Sequence, residues 1–241
     1  MAVRILLQAR MASTRLPGKV CLPLGSGRII DWAIARLSVV GPVTLCTSDQ
    51  PTDDTLVESV PCEVLRGSED DVLGRFILAL HDFDGIVVRA TGDNPLVLPE
   101  LARDAIATLE RDSADYCSIE GSALGTTVEV LTADALRRIH GMTTVSDERE
   151  HATLGILRRP DQFHIVRYIA PPEYSAPSMR LTIDTPEDYA RISTVVDRIG
   201  KSPVKTTWDD ICRAYPYDES TIELQRGLRE VQQLKEAAWR S

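Results

Sequence analysis

The chain has 241 residues and a net charge of −9, with 43% hydrophobic and 26% charged residues. This length and apolar content suit one large α/β domain, or one domain with a small lobe attached. An acidic chain is not expected to bind nucleic acids in general, because a phosphate backbone requires a basic face. A few clustered basic residues can still create a local site for one small anionic ligand.

Cysteine usage and hydropathy predict an ordinary soluble environment. The five cysteines form no CxxC pair and no cysteine–histidine cluster at zinc spacing, so we expect free thiols in a reducing cytoplasm. The apolar run at residues 3–7 is too short for a secretory signal, and no stretch approaches the roughly 20 apolar residues of a membrane span. We therefore expect a cytoplasmic protein with neither nucleic-acid nor membrane partners.

The N-terminal part alternates predicted strands and helices. Runs of branched apolar residues predict strands, and apolar residues at helical spacing predict helices. In chain order the predictions are strand 3–7, helix 29–37, strand 43–47, a turn with helix-capping residues at 49–54, strand 62–65, helix 69–80 capped by Ser68, strand 85–89 and helix 99–111. This alternation is typical of a parallel sheet with helices on both faces.

The pattern becomes less regular after residue 115. We predict strands at 115–119, 126–131, 164–169 and 179–183, helices at 133–139 and 147–158, a helix that Thr185 caps and Pro186 opens, and a charged helix at 220–239. We interpret residues 1–241 as a single domain, in which residues 115–175 form a small inserted lobe for acceptor binding or dimerisation.

The loop after the first strand concentrates groups that bind phosphate. Residues 8–19 read QARMASTRLPGK and include three cations, Arg10, Arg15 and Lys19, as well as two hydroxyls and Gly18. In open parallel sheets, ligands bind beyond the carboxyl ends of the strands, where this loop begins. Arginine grips phosphate oxygens in a fork, lysine acts as a point charge, and glycine lets the backbone approach closely. The loop is neither a Walker loop nor a GxGxxG turn, and a solvated basic loop is the alternative interpretation.

Residues 9–20, ARMASTRLPGKV, resemble the opening motif of the SpsF-type (spore coat polysaccharide) cytidylyltransferases, which are related to the acylneuraminate and Kdo cytidylyltransferases. Further matching segments are CTS at 46–48, GSEDDVLGR at 67–75, VRATGDNP at 88–95, REH at 149–151 and RLTIDTPED at 180–188. The resemblance implies a Rossmann-like (GT-A-like) α/β nucleotidyltransferase fold, with a mostly parallel mixed sheet flanked by helices. The family often has glycine at the position of Ala12, which matters only if the position needs a positive φ, and cysteine or serine at that of Asn94.

Two aspartates follow predicted strands and are the candidate metal ligands. Asp93 comes after strand 85–89, and Asp184 comes after strand 179–183. Nucleotidyl transfer requires the phosphate charge to be neutralised, and Mg²⁺ held by one or two carboxylates is suited to this. The resemblance implies that Asp93 and Asp184 hold Mg²⁺ as cofactor. Without it, Asp93 reads equally well as a turn residue and Asp184 as a residue ahead of a helix cap, while Glu187 and Asp188 serve the helix N-terminus.

The resemblance also implies a CTP site, with Arg10, Arg15, Lys19 and Asp93 as the catalytic residues. The expected nucleotide-binding residues are Leu7, Gln8, Ala9, Arg10, Ser13, Arg15, Lys19, Thr47, Ser48, Gly67, Ser68, Asp71, Arg75 and Thr91. The choice of CTP over other triphosphates rests on the resemblance alone. For Arg75, a solvated helix arginine is the alternative interpretation.

A second set of residues is expected to bind a small anionic acceptor. These residues are Arg89, Asn94, Thr127, Glu129, Glu150, His151 and Arg180. His151 can donate to an anionic acceptor or act as a base, although a structural surface histidine is the alternative. The expected reaction transfers CMP from CTP to an acidic sugar, sugar phosphate or phosphonate with release of pyrophosphate, and the resemblance implies a homodimer.

Two other functions remain open at this point. A glycosyltransferase that uses a nucleotide-sugar donor shares the same fold class, but such enzymes usually place a DxD-type carboxylate pair on the metal, which fits this chain less well. A non-catalytic nucleotide-binding protein is the other alternative, and the presence of Asp93, Arg15 and Lys19 argues against it.

Overall fold

A seven-stranded sheet forms the centre of the protein in the computed structural model, which describes residues 1–176 and 178–216. The strands are β1 (Val3–Gln8), β2 (Pro23–Leu24), β3 (Gly27–Arg28), β4 (Val43–Ser48), β5 (Glu63–Gly67), β6 (Ile86–Thr91), β7 (Tyr116–Glu120), β8 (Glu129–Thr132) and β9 (Ile165–Ile169). The order in the large sheet is β5-β4-β1-β6-β8-β7-β9, and β2 and β3 form a separate small hairpin. The helix predicted at 220–239 lies outside the described residues.

Helices cover both faces of this sheet. They are α1 (Ile29–Leu37), α2 (Asp54–Ser59), α3 (Val72–Leu80), α4 (Pro99–Asp112), α5 (Ala133–Met142), α6 (Ser146–Glu150), α7 (Leu154–Leu157), α8 (Pro186–Ile199) and α9 (Trp208–Ala214). Among the described residues, none of these helices is long and apolar enough to cross a membrane. All five cysteines are free thiols in the structure, as predicted.

The strand connections create a crevice between β1 and β6. The chain passes from β1 outward to β4 and β5, then returns to β6 on the other side of β1, and these strands are all parallel. The carboxyl ends of β1 and β6 meet where Gln8 pairs with Thr91. Such a reversal of strand order is where ligands bind in open α/β sheets.

The sheet is mixed beyond β6. β8 runs antiparallel to β6 and to β7, whereas β7 and β9 are parallel. The expected mostly parallel mixed sheet flanked by helices is therefore confirmed. Residues 115–175 supply β7, β8 and β9 to the same sheet, and their role in acceptor binding or dimerisation stays a prediction.

Apolar side chains on the central strands anchor the helices on both faces. Ile5, Leu6 and Leu7 of β1 are all fully buried, and they alternate between two core clusters. Ile5 and Leu7 pack on the α1 and α4 side, and Leu6 packs on the α3 and α5 side. This alternation follows from the two-residue period of a strand, and it fixes which side chains emerge into the crevice.

Two predicted helices have different bounds in the structure. Helix α3 begins at Val72 rather than at residue 69, because Asp71, not Ser68, caps it by accepting a hydrogen bond from the Gly74 amide at 2.8 Å. The helix predicted at 147–158 is broken into α6 and α7, since the backbone leaves the helical conformation at His151.

The segment predicted as strand 179–183 forms only an isolated bridge between Arg180 and Leu124. It pairs with loops instead of with a strand, because the Leu181 amide donates to the Leu124 carbonyl and the Ile183 amide donates to the Asp93 carbonyl. Helix α9 at Trp208–Ala214 was not predicted, although Thr207 and Asp210 form a capping box at its start. The Thr185 cap and Pro186 opening of α8 are confirmed, and Asp188 completes the capping box.

Candidate active site

A cleft opens between the carboxyl ends of β1 and β6. Its volume is about 240 Å³, and the loop after β1 forms one wall. The lining residues are Gln8, Ala9, Arg10, Ala12, Ser13, Thr14, Arg15, Lys19, Val20, Thr91, Gly92, Asp93 and Asp184. The cleft therefore brings together the predicted phosphate loop and both predicted metal ligands, at the reversal of strand order.

The loop conformation is set by its own backbone. The amides of Ser13 and Gly18 both donate to the Met11 carbonyl, at 2.9 and 3.0 Å. Gly18 has φ +66°, a conformation that strongly favours glycine, and the short 3₁₀ helix Lys19–Cys21 begins immediately after it. Ala12 does not have a positive φ, so the alanine at this position strains nothing.

Backbone hydrogen bonds bring the two aspartates to the same place. The Ile183 amide donates to the Asp93 carbonyl at 2.9 Å, which sets Asp184 beside Asp93. Gly92 lets the segment that carries Asp93 lie close to the start of the loop after β1, because a Cβ at that position would lie only 2.8 Å from the Cβ of Ala9. The two aspartates predicted from the strand ends thus converge, but a loop-to-loop contact brings them together.

Lys19 occupies the space between the two aspartates. Its Nζ atom lies 2.8 Å from Asp93 Oδ2, 3.0 Å from Asp184 Oδ1 and 2.7 Å from the carbonyl oxygen of Ile183. The lysine side chain is only 11% exposed. Lys19 is thus a largely buried cation held by three oxygens from two segments of the chain.

Asp184 is also held by arginines. Arg180 contacts the other carboxylate oxygen of Asp184 at 2.7 Å and contacts Asp188 at 3.0 Å, and Arg15 lies 3.1 Å from Asp184. Burial alone would raise the pKa of Asp188, but hydrogen bonds from Arg180 and from the Asp184 backbone outweigh this, so its pKa is lowered. Asp188 consequently stays ionised and fixes Arg180 next to the cleft.

The oxygen atoms around Lys19 are suited to Mg²⁺. Mg²⁺ prefers one or two carboxylates, with substrate phosphates and waters completing its octahedral shell. Asp93 and Asp184 supply those carboxylates, and the lysine ammonium shows that a cation fits between them. In the part of the chain that the structure describes, no cluster of three or more histidine, cysteine or acidic side chains forms a complete metal cage.

Thr47 and Ser48 at the end of β4 face inward and bind Asp53. Both hydroxyls donate to Asp53 Oδ2, at 2.7 and 2.5 Å, and the Met11 amide donates to Oδ1 at 2.7 Å. Asp53 is fully buried. The two predicted nucleotide-binding residues therefore act on the phosphate loop through Asp53, which ties the loop to β4.

The start of α3 carries several more predicted nucleotide-binding residues. Arg75 is only 1% exposed, donates to the Ser68 carbonyl at 3.0 Å, and has its pKa lowered by burial. It is therefore not the solvated arginine of the alternative interpretation. Asp71 pairs with Arg149 at 3.1 Å in addition to capping α3, which connects α6 to this corner of the site.

Three further residues of this set differ in what they offer to a ligand. Leu7 is fully buried, so only its backbone is available. Arg10 reaches from the phosphate loop to Glu69 at 2.9 Å. Gly67 lies against Arg75, since a Cβ there would come within 3.0 Å of the arginine Cγ.

The predicted acceptor-binding residues do not form one cluster. Arg89 pairs with Glu129 at 2.5 Å and donates to Gln8 Oε1 at 3.2 Å. Arg180 instead lies beside Asp184, which lines the cleft. Asn94 donates to the Thr91 hydroxyl at 2.9 Å, next to the cleft.

The remaining predicted acceptor-binding residues lie away from these contacts. Thr127 is half-buried ahead of β8, and Glu150 and His151 are exposed at the end of α6. His151 lies 3.8 Å from Asp147. Across residues 1–176 and 178–216, the side chains of Glu150 and His151 make no hydrogen bond to a residue that lines the cleft.

Several residues that the sequence reasoning missed shape the site. Asp53, Glu69, Tyr116, Thr153 and Asp188 each contact a predicted site residue through a side-chain hydrogen bond. Asp188 was assigned only to the helix terminus. Glu69 lies inside the GSEDDVLGR segment but was given no role, and Tyr116 and Thr153 are polar residues without a motif of their own. A carboxylate five residues after Ser48 was the one available signal for Asp53.

Comparison with known proteins agrees with this geometry. The family model described as "Cytidylyltransferase" matches residues 4–215. This chain belongs to the cytidylyltransferase family. It is 37% identical over 215 residues to the spore coat polysaccharide biosynthesis protein SpsF of Bacillus subtilis (strain 168), covering 83% of this chain and 89% of that protein.

Two further comparisons extend the similarity. A 3-deoxy-manno-octulosonate cytidylyltransferase of Rhizobium etli (strain CIAT 652) is 34% identical over 164 residues, which cover 62% of each chain. A solved cytidylyltransferase structure from Leptospira borgpetersenii serovar Hardjo-bovis (strain JB197) superposes with a TM-score of 0.80 at 29% identity, covering 88% of this chain and 93% of that chain. The nucleotidyltransferase fold and the family expected from the sequence are both confirmed.

Proposed function

We propose that this cytidylyltransferase transfers CMP from CTP to a small anionic acceptor, with Asp93 and Asp184 holding Mg²⁺ and pyrophosphate as the second product. The observation that carries the proposal is that the Lys19 ammonium lies between these two aspartates, next to the basic loop. A glycosyltransferase or a non-catalytic nucleotide-binding protein does not require this pairing with a triphosphate loop, and the family membership favours nucleotidyl transfer over both.

The basic residues of the loop and the two aspartates have different roles in the proposed reaction. Arg10, Arg15 and Lys19 lie along the loop and bind the β- and γ-phosphates, and their positive charge stabilises pyrophosphate as it leaves. Mg²⁺ bound at the two aspartates would neutralise charge that develops on the α-phosphate. The protein contributes chiefly by positioning the acceptor oxygen in line with the bond that breaks, because phosphoryl transfer needs little covalent chemistry from the enzyme.

An acidic acceptor is the class that the relatives support. One relative is named for 3-deoxy-manno-octulosonate, an acidic sugar. Sugar phosphates and phosphonates present oxygens of similar charge, and Arg180 stands at the edge of the cleft as a nearby cation. The homodimer implied by the resemblance stays a prediction, which light scattering tests.

Pyrophosphate release tests the reaction directly. The protein is incubated with each of the four nucleoside triphosphates and Mg²⁺, together with a panel of acidic sugars, sugar phosphates and phosphonates. We expect release with CTP in the presence of one acceptor class. Absence of release with every combination would contradict the proposal.

Asp93→Asn tests the role of the carboxylate. We expect turnover to fall by about three orders of magnitude while the affinity for CTP falls less, since one carboxylate–cation contact in the reacting complex is lost. Asp161→Asn is the matched control, because Asp161 is an exposed turn residue far from the cleft in sequence. Turnover of Asp93→Asn close to the wild-type value would show that this carboxylate does not serve the reaction.

A further inference from the structure

A row of polar side chains crosses four neighbouring strands on the α3 side of the sheet. Gln8 is on β1, Arg89 on β6, Glu129 on β8 and Tyr116 on β7. Each contacts the next: Tyr116 donates to Glu129 at 2.5 Å, Arg89 contacts Glu129 at 2.5 Å, and Arg89 donates to Gln8 Oε1 at 3.2 Å. The row starts in the buried core and ends at the lining of the cleft.

The contact with Arg89 fixes which way the Gln8 carboxamide faces. A guanidinium group has only donors, so the atom of Gln8 that faces it must be the carbonyl oxygen. The NH₂ group of Gln8 then points away from Arg89. Gln8 lines the cleft and pairs in register with Thr91, whose strand leads to Asp93.

Glu129 in turn fixes Arg89. Glu129 accepts hydrogen bonds from the Tyr116 phenol, from the Arg89 guanidinium and from the Thr153 hydroxyl, the last at 3.0 and 3.1 Å. Tyr116 is 2% exposed and Thr153 is 4% exposed. Burial, followed by the neighbouring Glu129 carboxylate, raises the pKa of Tyr116 well above its ordinary value, so the phenol stays a donor. With its oxygens occupied in this way, Glu129 is a fixed anchor.

We propose that Tyr116 and Glu129 are positioning residues that act through Arg89 to orient Gln8, whose NH₂ group donates a hydrogen bond to an acceptor atom of the bound substrate. This rests on the proposed function and changes the roles of Arg89 and Glu129 from acceptor binding to positioning. A donor at this point favours substrate atoms that carry no hydrogen. Such atoms are N3 and O2 of cytosine or the oxygens of an anionic acceptor, whereas N3 of uracil carries a hydrogen.

Gln8→Met tests the donor without adding a charge to a cleft that binds polyphosphate. Calorimetry with CTP and with UTP, each with Mg²⁺, measures the affinity for the nucleotide. Pyrophosphate release from CTP, with 3-deoxy-manno-octulosonate as the acceptor sugar, measures the acceptor KM. We expect either the nucleotide affinity to fall or the acceptor KM to rise by about tenfold, which is the effect of losing one hydrogen bond in a desolvated site.

The two sources of the substrate atom give different results. If Gln8 contacts N3 of the base, Gln8→Met weakens the binding of CTP but not of UTP, and the difference in affinity between the two nucleotides narrows. If Gln8 contacts O2, which both bases carry, Gln8→Met weakens the binding of both nucleotides. If Gln8 contacts the acceptor sugar, the KM for that sugar rises and the affinity for CTP is unchanged. If the affinities, KM and kcat all stay at wild-type values, the proposal is wrong.

Tyr116→Phe tests whether the row acts through Gln8. In the wild-type background, we expect Tyr116→Phe to weaken about threefold the same affinity or KM that Gln8→Met changes. In the Gln8→Met background we expect no further change, because the orientation of a missing carboxamide cannot matter. An equal loss in both backgrounds would show that Tyr116 is merely structural. Tyr168→Phe is the control, since Tyr168 also donates to a carboxylate, Asp104, but it lies half-buried on the edge strand β9.

The proposed function and this inference fail in distinguishable ways. If wild-type protein releases no pyrophosphate with any triphosphate and any acceptor of the panel, the proposed function fails, yet the CTP and UTP affinities of wild type and Gln8→Met still test the donor. If wild type releases pyrophosphate and Gln8→Met matches it in every measurement, only the role of Gln8 fails.

Discussion

Replacing Lys19 with methionine should destabilise the protein and create a new response to Mg²⁺. Lys19→Met keeps most of the length of the apolar stem but removes the ammonium that separates Asp93 from Asp184. The two carboxylates then face each other without a cation between them. Asp184 keeps Arg180 and Arg15 as partners, whereas Asp93 loses the ion pair that it makes with Lys19.

The size of this effect follows from the burial of the three groups. Removing one partner of a fully buried ion pair costs about 3–5 kcal/mol. The side chains here are 11% exposed for Lys19, 24% for Asp93 and 20% for Asp184, so solvent screens part of the repulsion. We therefore expect a loss of about 2 kcal/mol, which corresponds to a fall in Tm of roughly 4–8 °C for a domain of this size.

Thermal unfolding followed by circular dichroism, with and without Mg²⁺, measures both effects. In Lys19→Met, the oxygens that bind the ammonium in the wild type are free to bind the ion. Mg²⁺ should therefore raise Tm more in the variant than in the wild type, where the ammonium competes for the same oxygens. The double variant Lys19→Met/Asp93→Asn should regain part of the lost stability and lose the Mg²⁺ response. The prediction is refuted if Lys19→Met unfolds at the wild-type temperature, or if Mg²⁺ shifts both proteins equally.

Two further predictions concern buried charges that do not line the cleft. Arg36 is 2% exposed, donates to three backbone carbonyls, and has a pKa that burial lowers to about 10. Arg36→Met should lower the free energy of unfolding, measured by urea denaturation, by about 3 kcal/mol because these carbonyls lose their donor. Arg36→Lys should recover only part of this loss, since one ammonium cannot donate to all three carbonyls. Burial alone would raise the pKa of Asp53, but its hydrogen bonds outweigh this and lower it, so its stabilisation is present above 3.8, the ordinary pKa, and is lost as pH falls through the lower folded value. The stability difference between wild type and Asp53→Asn should therefore shrink on acidification, and a constant difference across that range would contradict this.

Sequence patterns located the chemistry well where a strand end and a motif coincide. The phosphate loop after β1 and Asp93 after β6 follow from an apolar strand that ends in polar residues, and the structure places both in one cleft. The expectation of CTP as substrate comes only from the family, because neither charge nor spacing distinguishes one triphosphate from another.

The parts that could not be predicted depend on long-range contacts. Residues 179–183 have a strand-like pattern, yet they pair with the Leu124 and Asp93 loops, and no local signal encodes that choice. The break between α6 and α7 places the Thr153 hydroxyl on Glu129, although the residues there suit one continuous helix. The predicted acceptor-binding residues come from several segments and do not form one cluster, and their role in binding an acceptor stays a prediction.

The place that Lys19 occupies between the two aspartates shows why the site can exist only in the folded protein. Its three oxygens come from Asp93, Ile183 and Asp184, and the cation comes from Lys19, far away in sequence. Bringing two carboxylates together is unfavourable unless a cation separates them. Lys19 meets this need, and the same ammonium belongs to the loop for which we propose triphosphate binding. The proposed function therefore implies that a triphosphate draws Lys19 toward its phosphate oxygens, so that occupancy of the loop and availability of the two aspartates to Mg²⁺ are coupled through one side chain.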